Sequence, residues 1–445
     1  MHGIRDLVLE KPVVGVREVF GVGVVSMSSA YRASILHSLG PDHIEYFDPG
    51  ILLVAANGRV LAARAAEAFT PTELRGVHVT DLSGRLIIPG FVDAHLHIPQ
   101  VDIIGIESAS LIDWLHDHVF AEEMANEDPA IARDRARRTF AQLLRNGTTA
   151  CAAFSSRHTE ATTIAFEEAE KAGVRAIIGK VLMDREAPAP LLEEASSALA
   201  DTERLIHTWH GRAGGRLEVA VTPRFGVSCS DELLAGAGRL AARHDVPVQT
   251  HLSENKGELA VIARQFPHAP DYTSVYEHAG LVRPRCLLAH CIHLSDEELR
   301  RIAAASAAAV YCPDSNFFLH SGRFPLQRAR AAGVTVALGS DVGAGTSFSL
   351  FAAMKMGNYM QTEQVDPALL FYLATMGGAA SLGWQDRIGN FAPGKCADFV
   401  VLDPTEILRG NGRATRTPRE LLSILIHRAQ ESHVERVYIE GRQVR

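Results

Sequence analysis

Apolar residues in the middle of the chain fall into short, nearly continuous runs. Eight stand out: RLIIPGFVDAHLH (85–97), TTACAAF (148–154), VRAIIGKVLM (174–183), LEVAVTP (217–223), VPVQTHL (246–252), CLLAHC (286–291), AAVYCP (308–313) and VTVALGSD (334–341). Amphipathic stretches such as DELLAGAGRLAARHD (231–245) and SDEELRRIAAASA (295–307) lie between them. A strand that is apolar on both faces belongs in a parallel sheet covered on both sides. Eight such strand–helix units predict an α/β fold closed into a (β/α)8 TIM-like barrel. No internal repeat or low-complexity linker divides this region.

The two ends read differently. GILLVAANGRVLAA (50–63) places two apolar runs around Asn57-Gly58, a strong two-residue hairpin signal. CADFVVLD (396–403) and VERVYIEGRQV (434–444) also read as strands. Strands before and after the barrel are expected to pair into one small discontinuous β-sandwich domain, residues 1–88 plus 388–445. The barrel is expected over 89–387. Residues 1–25 show no clear pattern. The uncharged stretch 367–385 contains Gly377, Gly378 and Gly383 and reads as a helix, a turn and a second short helix.

Composition narrows the class. The 445 residues accommodate a barrel of roughly 250 residues plus an appendage. Hydrophobic residues at 47% and charged residues at 22% exclude disordered and disulfide-stapled classes. Forty-four basic against 52 acidic side chains give a net charge of −8, with no electrostatic footprint for nucleic acid. Six cysteines without a CxxC pair fit a reducing compartment. Charges at Arg5, Asp6, Glu10 and Lys11 interrupt any signal-peptide core. The expectation is a cytoplasmic protein with neither membrane nor nucleic-acid partner. Gly21-Val22-Gly23 starts like a dinucleotide loop, but Ser26 holds the third glycine position.

Polar residues gather at the C-terminal ends of the expected strands. The first ends in Asp93-Ala94-His95-Leu96-His97, and residues i and i+2 of a strand share a face. The fifth ends in His251-Leu252-Ser253-Glu254, the sixth in His290 and the eighth in Asp341. Barrel active sites are built at this end. His95, His97, His251 and Asp341 offer three imidazoles and a carboxylate to one divalent ion. Zinc and iron both suit this set. A catalytic ion keeps a position for water and brings its pKa to about 7. Asp341 can accept the water's proton, Glu254 can shuttle protons to a substrate, and His290 can orient the nucleophile. Cys286 and Cys291 are oddly spaced for one ion and read as buried packing residues.

PGFVDAHLH, HLSE, AHC and GSDVGAG resemble the metal-dependent amidohydrolase superfamily. HIPQVD (97–102), LIDWL (111–115), TPRF (222–225), YTSVY (272–276), CPDSN (312–316), DVGAGTSFSL (341–350) and IGNFAPGKCADFVVLD (388–403) resemble its guanine deaminase family. The resemblance implies a single zinc or iron ion, no carbamylated lysine, a homodimer, and hydrolysis of guanine to xanthine and ammonia. It also implies that Gln100, Arg224 and Phe225 hold the purine, with His97, Glu254 and Asp341 facing it. Segment 106–110 departs from the family's usual Tyr-Gly, and Phe120-Ala121 from its usual Phe-Pro. These departures leave a related aminohydrolase of another ring (an oxidised purine, a pterin or a triazine) as the nearest rival. An inactive barrel-shaped interaction protein is the rival from another class. A cytidine-deaminase-like zinc fold would need PCxxC, which the chain lacks.

Overall fold

The computed structural model describes residues 28–108, 111–409 and 416–445. The N-terminal segment 1–25, with Gly21-Val22-Gly23, lies outside the described residues. The strands in chain order are β1 (Ser29–Gly40), β2 (His43–Val54), β3 (Val60–Ala65), β4 (His78–Pro89), β5 (Phe91–His97), β6 (Thr148–Phe154), β7 (Arg175–Gly179), β8 (Val181–Leu182), β9 (Leu217–Val219), β10 (Thr222–Pro223), β11 (Val248–Leu252), β12 (Cys286–His290), β13 (Ala308–Tyr311), β14 (Thr335–Leu338), β15 (Phe399–Leu402), β16 (Val434–Ile439) and β17 (Arg442–Gln443).

The barrel consists of two parallel halves, β5-β6-β7-β9 and β11-β12-β13-β14. Between them, Val221 N donates to Pro247 O (2.9 Å) and Gln249 N to Val221 O (3.1 Å). The ring closes where Asp341 N donates to His95 O (2.8 Å) and His97 N to Val342 O (2.6 Å). The closing seam therefore fixes the backbones of His95, His97 and Asp341 against one another.

The helices follow their sequence signals. Ser230 caps Asp231–His244 by accepting from Leu233 N, and acidic residues open that helix while basic ones close it. Ser295 and Glu298 form a capping box on Asp296–Ala304. The uncharged stretch 367–385 holds two short helices, Pro367–Leu373 and Met376–Ser381.

The seven terminal strands form one hydrogen-bonded sheet, ordered β17-β16-β15-β4-β1-β2-β3. This sheet rolls over on itself to make a sandwich-like core. Tyr438 and Tyr31 are three strands apart, about 14 Å in a flat sheet, yet their ring centroids lie 5.3 Å apart. Phe399 packs between them, 4.3 Å from Tyr438 and 5.0 Å from Tyr31. The roll brings the Asn57-Gly58 hairpin against the β16–β17 turn. Gly58 has φ 76°, and a Cβ there would lie 2.1 Å from the Glu440 carbonyl oxygen, so only glycine fits.

The apolar run 85–97 is two strands rather than one. β4 belongs to the terminal sheet, β5 to the barrel, and Gly90 lies between them. A Cβ on Gly90 would meet the Thr149 hydroxyl at 2.0 Å. Hydrophobicity alone does not reveal such a break, because both halves are buried. The run 174–183 is likewise interrupted at Lys180, a buried cation paired with Glu193.

Candidate active site

His95 and His97 end β5, His251 lies in β11, His290 ends β12, and Asp341 follows β14. All five are buried. The backbone is strained where these strands stop. Ser253 (φ 52°), His290 (φ 71°) and Asp341 (φ 52°) are left-handed without being glycine. Each such residue costs about 1–3 kcal/mol, a cost that clusters at functional sites.

The side chains converge. His97 Nε2 lies 3.2 Å from His251 Nε2. Asp341 Oδ1 lies 3.2 Å from His95 Nε2 and 3.5 Å from His97 Nε2, and Oδ2 lies 3.8 Å from His290 Nε2. The His251 Nδ1–H donates to the Arg224 carbonyl at 2.5 Å, which leaves Nε2 with its lone pair toward the cluster. Asp93 sits behind the cluster, its Oδ1 accepting from Ser340 N (2.9 Å) and His95 N (3.3 Å). His290 Nδ1 lies 2.9 Å from Asn316 Oδ1, so the ring donates there and turns Nε2 to the cavity.

Electrostatics set the protonation states. Burial, reinforced by the neighbouring imidazoles, lowers His251 well below its ordinary value. Burial lowers His97 to about 3 against a partial opposing pull from Asp341. Burial pushes the Asp341 carboxyl up, but His95, His97 and His290 outweigh it and hold the group well below the usual carboxylate range. Burial, then the charge of Asp341, raises Glu254 to about 8, while Ser321 and Arg224 pull it down. With His97 and His251 neutral and Asp341 ionised, these three groups are in the protonation state a divalent cation requires.

The donor set fits such an ion. Bonds of about 2.0–2.1 Å to tetrahedral zinc separate two nitrogens by about 3.3 Å, close to the 3.2 Å between His97 and His251. His95 Nε2 makes no well-formed hydrogen bond and has the Asp341 carboxylate 3.2 Å away, which leaves its lone pair available to an ion. The donor atoms of His95, His97 and His251 lie within 4.8 Å of one another, as do those of His95, His290 and Asp341.

A cavity opens beside the cluster. Gln100, Arg224, Phe225, His97, His251, Glu254, His290 and Asp341 all line it. Gln100 Oε1 accepts from Gly343 N at 3.2 Å, and Ser321 Oγ donates to Glu254 Oε1 at 3.1 Å. Every residue singled out from sequence is thus brought to one place, with His95 just behind the cavity wall. Cys286 and Cys291 are buried free thiols outside the histidine groups.

Sequence reasoning missed four contributors. Asn316 and Ser321 hold His290 and Glu254. Glu123 is ion-paired to Arg224, 101 residues away in sequence. Trp114 lines the cavity and donates Nε1–H to the Ile106 carbonyl at 2.9 Å, which ties the divergent segment 106–110 to the pocket wall. Ala109 and Ser110 of that segment lie outside the described residues. Phe120 of the divergent Phe120-Ala121 pair sits 6.0 Å from the Arg224 guanidinium. Asn316 stood in the conspicuous CPDSN run. Glu123 had no local signal at all.

A parallel barrel with histidines and a carboxylate gathered at its C-terminal mouth defines a metal-dependent hydrolase. Residues 86–444 match the amidohydrolase family, and the chain belongs to it. It is 39% identical to guanine deaminase of Escherichia coli over 376 residues, 83% of this chain and 85% of that one. It is 38% identical to a probable guanine deaminase of Deinococcus radiodurans, covering 92% of this chain and 97% of that one. The structure of the guanine deaminase of C. acetobutylicum, with guanine bound in its active site, superposes with a TM-score of 0.88. That match has 29% identity and covers 94% of this chain and 99% of that one.

Proposed function

We propose that this protein is a hydrolytic guanine deaminase that converts guanine and water to xanthine and ammonia. One observation carries the reading: a single cavity presents the histidine–aspartate cluster together with Gln100, Arg224 and Phe225. The guanine deaminase relatives support the choice of ring.

His95, His97, His251 and Asp341 would hold one divalent metal ion, zinc in our reading, with iron as the other ion the donor set suits. When bound, such an ion supplies a water acidic enough to react at neutral pH. The protein's own groups do the rest. Gln100, whose amide both donates and accepts, reads a purine edge. Arg224 donates to the carbonyl edge, and Phe225 packs on the ring. Asp341 takes the proton of the attacking water, and His290 orients that water. Glu254, raised to about 8, is protonated near neutral pH and donates to the ring nitrogen beside the amidine carbon. A C–O bond forms at that carbon and the C–N bond to the exocyclic amine breaks. Glu254, left ionised by that donation, carries the proton of the new hydroxyl group to the leaving nitrogen and is reprotonated from Asp341, so water is consumed, ammonia leaves and both carboxyl groups are restored.

No helix among the described residues is long and apolar enough to cross a membrane, which is in keeping with a cytoplasmic enzyme. The family resemblance supports a homodimer, which light scattering on the purified protein would test.

The deciding assay follows ammonia and xanthine from guanine with metal-analysed protein. Stoichiometric release of both supports the reading. A metal-loaded protein inert on guanine would overturn it and direct attention to segment 106–110 and a panel of other aminated rings.

A further inference from the structure

Two buried arginines are engaged in contrasting ways. Arg135 uses all three of its nitrogens. Its Nε donates to Asp102 at 2.8 Å, and one terminal nitrogen donates to the Glu122 carbonyl (2.7 Å) and Asn126 (3.2 Å). The other terminal nitrogen pairs with the Glu122 carboxylate. Arg224 gives one terminal nitrogen to Glu123 and lines the cavity with the rest of its side chain. Among the described residues its ion-pair partner is Glu123. That pair is among the most deeply buried in the molecule, with side chains 4% and 0% exposed.

Glu123 is also unusual on its own account. Its Oε2 is buried without a hydrogen-bond partner. A carboxylate placed for structure alone is expected to spend both oxygens on donors. Here the guanidinium is the partner that accounts for its position. The other carboxyl groups of the cavity, Glu254 and Asp341, face the histidine cluster instead. Glu123 is thus the carboxylate paired directly with the Arg224 edge.

A buried guanidinium without a counter-ion binds anions strongly, because low local dielectric amplifies the attraction. A guanidinium already neutralised, with donors to spare, hydrogen-bonds a carbonyl and gains little from a charged ring. We propose that Glu123 is a specificity-determining residue: its carboxylate cancels the charge of Arg224, so that the pocket takes a neutral oxopurine and disfavours an anionic one. The ionised form of the acidic dione product is thereby discouraged from staying bound. This rests on the guanine deaminase reading for the identity of the ligand.

The test compares Glu123→Gln with the wild type. Gln keeps an oxygen acceptor for Arg224 and removes the charge. Binding of urate (an anion at neutral pH) and of hypoxanthine (a neutral oxopurine) is read by calorimetry on the metal-loaded protein, with guanine turnover measured separately. The expected result is at least about a tenfold rise in the urate-to-hypoxanthine affinity ratio, with tighter product inhibition. Glu123→Asp, which retains the charge, should hold the ratio near wild type even if both affinities fall. An unchanged ratio in Glu123→Gln overturns the proposal while wild-type turnover of guanine leaves the function standing. A wild type inert on guanine overturns the function, and the ratio still decides the role of Glu123. Failure of both purines to bind either protein overturns the proposal, and guanine turnover still decides the function.

Discussion

Two clusters of buried charge lie at opposite ends of the barrel. At the N-terminal end, Arg175 opens β7 and meets the terminal sheet. Its Nε donates to Asp398 Oδ2 (2.6 Å) and a terminal nitrogen donates to Glu440 Oε1 (2.9 Å). Arg216 takes Glu440 Oε2 at 2.8 Å, and Glu440 N takes Asp398 Oδ1 at 2.8 Å. All four carboxylate oxygens are satisfied. At the C-terminal mouth, His97 Nδ1 and Asp93 Oδ2 are buried without a hydrogen-bond partner, and the backbone is strained at His290 and Asp341. Burial of charge is common to both places, so burial alone does not mark function. What the charged groups meet does. One cluster pairs its carboxylates with arginines and holds the barrel to the sheet, and the other gathers imidazoles around a carboxylate, arranged for a metal ion and a substrate.

If this division is right, each end should fail differently. The largest expected effect is on chemistry at the mouth. Glu254→Gln should lower kcat by roughly 10²–10⁴-fold, the range for losing a positioned proton donor, with an unfolding midpoint close to wild type. An unchanged kcat would remove Glu254 from the reaction. At the other end, Arg175→Met strands the buried Asp398 carboxylate and should cost about 3–5 kcal/mol of stability, measured by denaturant titration. Turnover per folded molecule should stay the same; a loss of kcat without a loss of stability would break the division.

A smaller effect should separate the two ends by their response to metal. Zinc at a hundredfold excess over its dissociation constant should add about 2.7 kcal/mol of stability. His251→Asn should abolish that gain, whereas Arg175→Met should retain it. Zinc-independent unfolding of the wild type would contradict the ligand assignment.

The last effect concerns pH and belongs to the terminal sheet. Burial, then the nearby Lys395 and His43, lowers His37 from 6.5 to about 4. The neutral ring is favoured in the fold, so the unfolded chain binds the proton first. This contribution is complete above pH 6.5 and is lost as pH falls toward about 4. It amounts to at most about 3 kcal/mol, since the Glu45 carboxylate 3.2 Å from Nε2 favours the charged ring. Urea midpoints across this window should fall with pH in the wild type and fall less steeply in His37→Phe. Parallel curves would show that His37 does not titrate with unfolding.

Much of this was legible along the chain because it is local. Eight apolar runs and the Asn57-Gly58 hairpin depend on near neighbours. The His95/His97 pair is legible for the same reason, since alternate residues of a strand share a face. What stayed hidden depends on distant partners. Glu123 reads as one acidic residue in a short helix, and its meaning comes from Arg224. The break at Gly90 reflects crowding by Thr149 from another strand, which no pattern of hydrophobicity records.

The sequence by itself determined the barrel, the sheet-forming ends and the chemical types available at the strand ends, because periodicity and residue chemistry are properties of short segments. Tertiary structure decided which of those groups meet. Closure of the ring set His95 and His97 beside Asp341, and rolling of the terminal sheet packed Tyr31 against Tyr438. Folding also buried Arg224 with Glu123 at the edge of a cavity. Protonation and affinity follow from distances and desolvation, and these exist only once residues far apart in the chain are packed together.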